Sequence, residues 1–156
     1  MLPDWIALCR LFDAHSVDFL LVGGQAVIAH GYPRLTKDMD LWLRPTRDNG
    51  ERVLHALADF GTPLADFTPE RFLDSDIIIM LGREPFRVDL LTAIPGVDFD
   101  RAWSRRGSVV LDGVAVPLIA REDLIANKKA VGRLQDLADV EALEAVAAAG
   151  GAKVGG

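Results

Sequence analysis

The chain has 156 residues, half of them hydrophobic, and a formal net charge of −6. That length fits one domain, at roughly 100–200 residues each, with enough side chains for a substantial core. The acidic balance argues against a general duplex nucleic-acid binder, which would be basic, and no apolar stretch approaches the ~20 residues a membrane span needs.

The N-terminus "MLPDWIALCRLFDAHS" has no basic region ahead of a small-residue cleavage site, so no signal peptide is expected. The single cysteine, Cys9, excludes an internal disulfide framework and suits a reducing, cytoplasmic setting. Trp5, Leu8, Cys9 and Phe12 keep the spacing of one helix face, with Asp4 placed to cap it. On that face Cys9 reads as a small buried hydrophobe. Phe19–Val22 then reads as a buried strand ended by Gly23-Gly24. Residues 26–30 look helical, and Gly31-Tyr32-Pro33 stops them.

A second short strand is expected over 40–43, ending before Pro45, and a helix from Thr46 to Phe60 with Thr46 or Asp48 as cap. Three β-like pieces follow: 77–81, 86–91, and a hairpin of 109–111 with 114–118 across Asp112-Gly113, a strong turn signal. Arg121-Glu122-Asp123 opens a helical region that breaks near Gly132 and resumes through Leu134, Leu137, Val140 and Leu143. The order predicts a single α+β domain, a mixed sheet flanked by helices, over residues 1–147. The small-residue tail 148–156 is expected to fray.

The chemistry concentrates in "GGQAVIAHGYPRLTKDMDLWL", residues 23–43. Asp38 and Asp40 are one residue apart, so in an extended segment both carboxylates project from one face. Two buried carboxylates repel, and a divalent cation such as Mg²⁺, which takes one or two carboxylates plus phosphate oxygens and water, resolves the conflict. Asp89, inside the apolar "FRVDLL", can complete a trio able to hold two metals ~3.5–4 Å apart. Gly23-Gly24, lacking Cβ atoms, lets backbone N–H groups approach a phosphate, with Gln25 beside it. Together these are the parts needed to grip a metal–triphosphate and move a nucleotidyl group.

Gly23-Gly24, a spacer of thirteen residues, Asp38-Met39-Asp40-Leu41 and a later strand with Asp89 resemble the nucleotidyltransferase superfamily of DNA polymerase β type. Residues 23–43 and the segment "LIAREDLIANKKAVGRLQDLADVEAL" are most similar to the small bacterial branch that includes AbiEii-type toxins and stand-alone relatives. The resemblance implies the nucleotidyltransferase fold and NMP transfer from an NTP to an acceptor hydroxyl on RNA, protein or a small molecule. It implies Asp38, Asp40 and Asp89 as ligands of Mg²⁺ or Mn²⁺, with Asp89 also placed to activate the acceptor. Gly23, Gly24, Gln25 and Lys128 fall on the nucleotide side, while Arg34 and Thr36 match the pattern without an assigned role. An antitoxin is an implied partner.

Plainer readings accompany these. Lys128, Lys129 and Arg133 fit a solvated helix face as well as a phosphate-facing one, and Asp136 and Asp139 fit pairing with such neighbours. His30 suits the end of a short helix, His15 and His55 a polar surface, and Trp42 and Trp103 core or rim packing. In function the alternatives are an aminoglycoside-type nucleotidyltransferase or a non-catalytic nucleotide- or partner-binding module on the same fold.

Overall fold

A computed structural model describes residues 3–83 and 87–154. Its elements, in chain order, are α1 (Pro3–Ala14), β1 (Phe19–Val22), α2 (Gly23–Ala29), β2 (Asp38–Leu43), α3 (Arg47–Asp59), a 3₁₀ turn (Pro69–Leu73), β3 (Ile78–Leu81), β4 (Arg87–Leu91), α4 (Phe99–Ser104), β5 (Gly107–Leu111), β6 (Val114–Leu118), α5 (Arg121–Val131) and α6 (Leu134–Val154). The six strands form one sheet in the order β3-β4-β2-β1-β6-β5. β2 runs parallel to β4 and β1 parallel to β6, while β1–β2, β3–β4 and β5–β6 are antiparallel. This is the expected mixed α+β sheet flanked by helices.

Burial follows the sequence pattern. Trp5, Leu8, Cys9 and Phe12 of α1 are buried, and the Phe12 ring meets Phe19 of β1 edge-on, centroids 5.3 Å apart. The side chain of Asp4, which falls inside α1, lies outside the described residues, as does Phe86 ahead of β4. Thr46 caps α3 by accepting from the Asn49 N–H, whereas Asp48 sits in the first turn. Fully buried Asn49 accepts from the Asp18 N–H and donates to the Asp18 and Arg44 carbonyls, pinning α3 to the outer ends of β1 and β2. Its polar atoms are satisfied, as burial requires. The hairpin turns at Asp112 and Gly113, both at positive φ (48° and 82°) as a type I′ turn demands.

Three features differ from the sequence pattern. α2 begins at Gly23 itself, so the glycines form its first turn rather than a loop before it. β3 is an edge strand, and its apolar run splits into buried Ile79 and Leu81 and exposed Ile78 and Met80, because only one face is covered. The short α4, capped by Asp98, has no counterpart in the sequence reading; it lays Phe99 edge-on against Trp42, centroids 5.0 Å apart. α6 continues to Val154, and Gly155 and Gly156 lie outside the described residues. Among the described residues no helix is long and apolar enough to cross a membrane.

Candidate active site

Strand parity builds the first wall. Met39 and Leu41 of β2 are fully buried beneath the sheet, which turns Asp38 and Asp40 to the opposite face. The parallel ladder sets Asp40 beside Asp89 and Asp38 beside Arg87. Three carboxylates therefore share one face of two central strands. Burial first, then the charges of Asp89 and Asp38, push the Asp40 carboxyl up from 3.8 to about 6, against the opposing pull of Lys128 and Arg87. Asp89 is itself 9% exposed, so it is a buried acid and not a solvent-facing edge group.

Arg87 answers part of this charge. Its Nε donates to Asp89 Oδ1 and its Nη2 to Asp89 Oδ2, both at 3.0 Å, and Nη2 also stands 3.0 Å from Asp38 Oδ2. The guanidinium fork thus bridges the two outer acids of the trio. The sequence reading did not single out Arg87, although its position two residues before Asp89 places it on the same face. Among the described residues no group of three or more His, Cys, Asp or Glu side chains stands in a metal-holding arrangement.

The donor set nonetheless fits a hard divalent cation. All three groups are carboxylates on adjacent strands, and Asp38 Oδ1 is buried with no hydrogen-bond partner among the described residues. Asp38, Asp40 and Asp89 are the groups that would hold such an ion.

Gly23 and Gly24 close the end of this face. Gly23 has φ +68°, and a Cβ there would overlap the Asp40 carboxylate; one on Gly24 would meet Thr36 Oγ1 at 2.6 Å and Arg34 Nη2 at 3.0 Å. Both positions thus require glycine for close approach, the first also for its backbone angle. A cavity of about 350 Å³ opens here, lined among others by Gly23, Gly24, Arg34, Thr36, Asp38, Asp40, Lys128 and Arg133. Gln25, half-buried in α2, is not among the lining residues.

The second wall comes from α5 and α6. Gly132, at φ +73°, ends α5 in the left-handed conformation and turns the chain so that α6 packs back on it. Lys128 is no solvated surface group: at 6% exposure it lies 3.4 Å from Asp136 and 3.1 Å from Asp139. Asp139, fully buried, also accepts from Arg34 Nη2 (3.1 Å) and Gln135 Nε2 (2.9 Å), with Arg34 Nε in ion-pair range at 3.0 Å. Asp136 accepts from Arg133 Nε at 2.7 Å and from the Arg133 backbone N–H at 3.2 Å. Burial pushes the Asp136 carboxyl up, but the Arg133 hydrogen bond and the Lys128 and Arg133 charges outweigh it and hold it below its ordinary value. The pairing expected for Asp136 and Asp139 is therefore present, and it organises three cations around the cavity mouth.

The remaining candidates are structural. His30 bonds to the Ile119 carbonyl (2.7 Å), and His15 to Asp59 (2.7 Å); His55 is exposed. Trp103 stacks on Phe99, with Arg106 over its ring. Lys129 pairs with Glu144 at the surface.

Several solved structures share the fold. The lincomycin-bound lincosamide antibiotic adenylyltransferase LnuA is 13% identical with a TM-score of 0.56, over 94% of this chain and 98% of its own. The antibiotic-resistance factor ANT(2'')-Ia is 15% identical with a TM-score of 0.59, over 97% and 91%. An antigenic nucleotidyltransferase-like protein from Paracoccidioides brasiliensis is 17% identical with a TM-score of 0.52, over 90% and 72%. No curated protein sequence matches the chain. A family model described as "Nucleotidyl transferase of unknown function (DUF2204)" matches residues 2–155. With its mixed sheet, its paired glycines and its acid-bearing strands, the chain belongs to that nucleotidyltransferase family.

Proposed function

We propose that the protein transfers an NMP group from an NTP to an acceptor hydroxyl, with Mg²⁺ or Mn²⁺ held by Asp38, Asp40 and Asp89. The observation that carries this reading is the shared face: Asp38 and Asp40 of β2 line one cavity with Gly23, Gly24 and the cations Arg34, Lys128 and Arg133, and Asp89 of β4 stands beside Asp40 in the ladder. The cation supplies charge stabilisation for the phosphoryl oxygens when bound. The chain's own groups do the positioning. Gly23 and Gly24 admit the phosphates close to the backbone, beside the carboxylates of Asp38, Asp40 and Asp89 that would hold the ion. Asp89, on the last strand of the trio, is placed to accept the proton of the attacking hydroxyl.

The acceptor is a separate question. The motif resemblance to AbiEii-type toxins supports a cellular macromolecule and an antitoxin partner, whereas two fold neighbours are a lincosamide antibiotic adenylyltransferase and an antibiotic-resistance factor. Incubation with each α-labelled NTP, Mg²⁺ or Mn²⁺, and separate RNA, protein and small-molecule fractions distinguishes them. Label entering one fraction, and lost in Asp38→Ala and Asp40→Ala, is the expected result. No transfer in any fraction, with no metal-dependent NTP binding by calorimetry, refutes the reading.

A further inference from the structure

We infer that Arg87 is a positioning residue that competes with the divalent cation for Asp38 and Asp89, and so couples metal binding to nucleotide binding; this rests on the metal-dependent reading above.

The bridge is specific. In the β2–β4 ladder Arg87 lies opposite Asp38, and two residues on, Asp89 lies opposite Asp40. One guanidinium on β4 can therefore reach an acid on each strand, and it does, with three contacts of 3.0 Å. A planar fork bound to two carboxylates is a strong, oriented partner, not a diffuse counter-charge. It uses oxygens on two of the three groups that would ligate a cation, and the acids so engaged form no metal-holding cluster. A cation arriving alone must take oxygens of Asp38 and Asp89 from Arg87. A cation arriving with a triphosphate brings the displaced guanidinium an anionic partner. The two ligands then assist each other, and such coupling is reciprocal.

The size follows from competition for one state. If Arg87 engages the acids about 90% of the time, the apparent affinity for a lone cation is about tenfold weaker than that of the released site. Removing the bridge restores that factor.

The test uses the full chain and reads binding, not turnover. Mn²⁺ binding is followed by loss of the free-ion paramagnetic resonance signal, with and without the α,β-methylene analogues of ATP and GTP. The wild type, Arg87→Gln and Arg87→Lys are compared. Arg87→Gln is expected to bind Mn²⁺ alone about tenfold tighter than the wild type, and to gain less from the nucleotide analogue. Arg87→Lys, whose single ammonium cannot bridge as a fork, is expected to fall between them, and it serves if the Gln variant does not fold. Equal or weaker Mn²⁺ binding in the variants overturns the inference while leaving the metal site intact. No Mn²⁺ binding by any of the three, with or without nucleotide, overturns it together with the metal-dependent reading.

Discussion

Replacing Asp40 by Asn tests the central electrostatic claim, because it removes a charge while nearly preserving shape. The Asp40 carboxyl is raised from 3.8 to about 6, chiefly by burial and then by Asp89 and Asp38. The folded protein therefore holds this proton more tightly than the unfolded chain does. Stability is highest while Asp40 is protonated, falls as pH rises from about 4 to about 6, and is flat with respect to this group above that. A shift of about two units corresponds to about 3 kcal/mol of destabilisation by the ionised group at neutral pH. Asp40→Asn escapes that cost and forgoes the smaller attractions to Lys128 and Arg87. In EDTA at pH 7.5 the variant should exceed the wild type by about 1–3 kcal/mol, or roughly 2–10 °C in Tm for a domain of this size. At pH 4 the two should converge. Urea unfolding at both pH values, followed by tryptophan fluorescence, measures the difference. A variant less stable than the wild type at pH 7.5, or a gap that does not change between pH 4 and 7.5, refutes the assignment of Asp40 as a carboxylate strained by its neighbours.

Other outcomes follow from the same structure. Asp139→Ala takes from Arg34 its buried carboxylate and from Lys128 the nearer of its two, and should cost about 3–5 kcal/mol in urea unfolding, with Asp139→Asn less damaging. Gly23→Ala imposes a side chain at φ +68° against the Asp40 carboxylate; nucleotidyl transfer should be lost, with about 1–2 kcal/mol of backbone strain visible in Tm. Burial pushes the Cys9 thiol up to about 12, so a thiol-reactive dye should label native protein only as fast as the chain opens, and denatured protein at once. Phe12→Ala removes a fully buried ring packed on Phe19 and should cost about 3–5 kcal/mol without changing the Mn²⁺ affinity.

Local features of the fold were legible because local physics decides them. The four apolar residues of α1 declare one helix face, Thr46 caps α3 in its own first turn, and Asp112-Gly113 dictates a hairpin without reference to the rest of the chain. Strand order was not legible, since β2 finds β4 and β1 finds β6 across long intervening segments. The edge position of β3 was hidden for the same reason. A run of five apolar residues reads as buried on both faces, whereas only one face of β3 is covered, which leaves Ile78 and Met80 in solvent. α4 escaped notice because six residues are too few to show a helical period.

The site divides along the same line. Asp38, Asp40 and Asp89 could be found because alternation within a strand is a local rule, and applied to "RVD" that rule also reaches Arg87. The pairing of Arg34 with Asp139 could not, being made across 105 residues. Those distant pairs change the meaning of the net charge. Five carboxylates (Asp38, Asp40, Asp89, Asp136 and Asp139) meet four cations (Arg34, Arg87, Lys128 and Arg133), so this cluster in and around the cavity is close to internally neutral although the chain carries −6. A lone metal ion or a lone triphosphate must each break ion pairs to enter such a site. A metal–triphosphate complex, whose own charges partly offset, can exchange partners with it instead. On the proposed reading the overall acidity is therefore no obstacle to nucleotide binding, and the internal pairing favours the complex over either component.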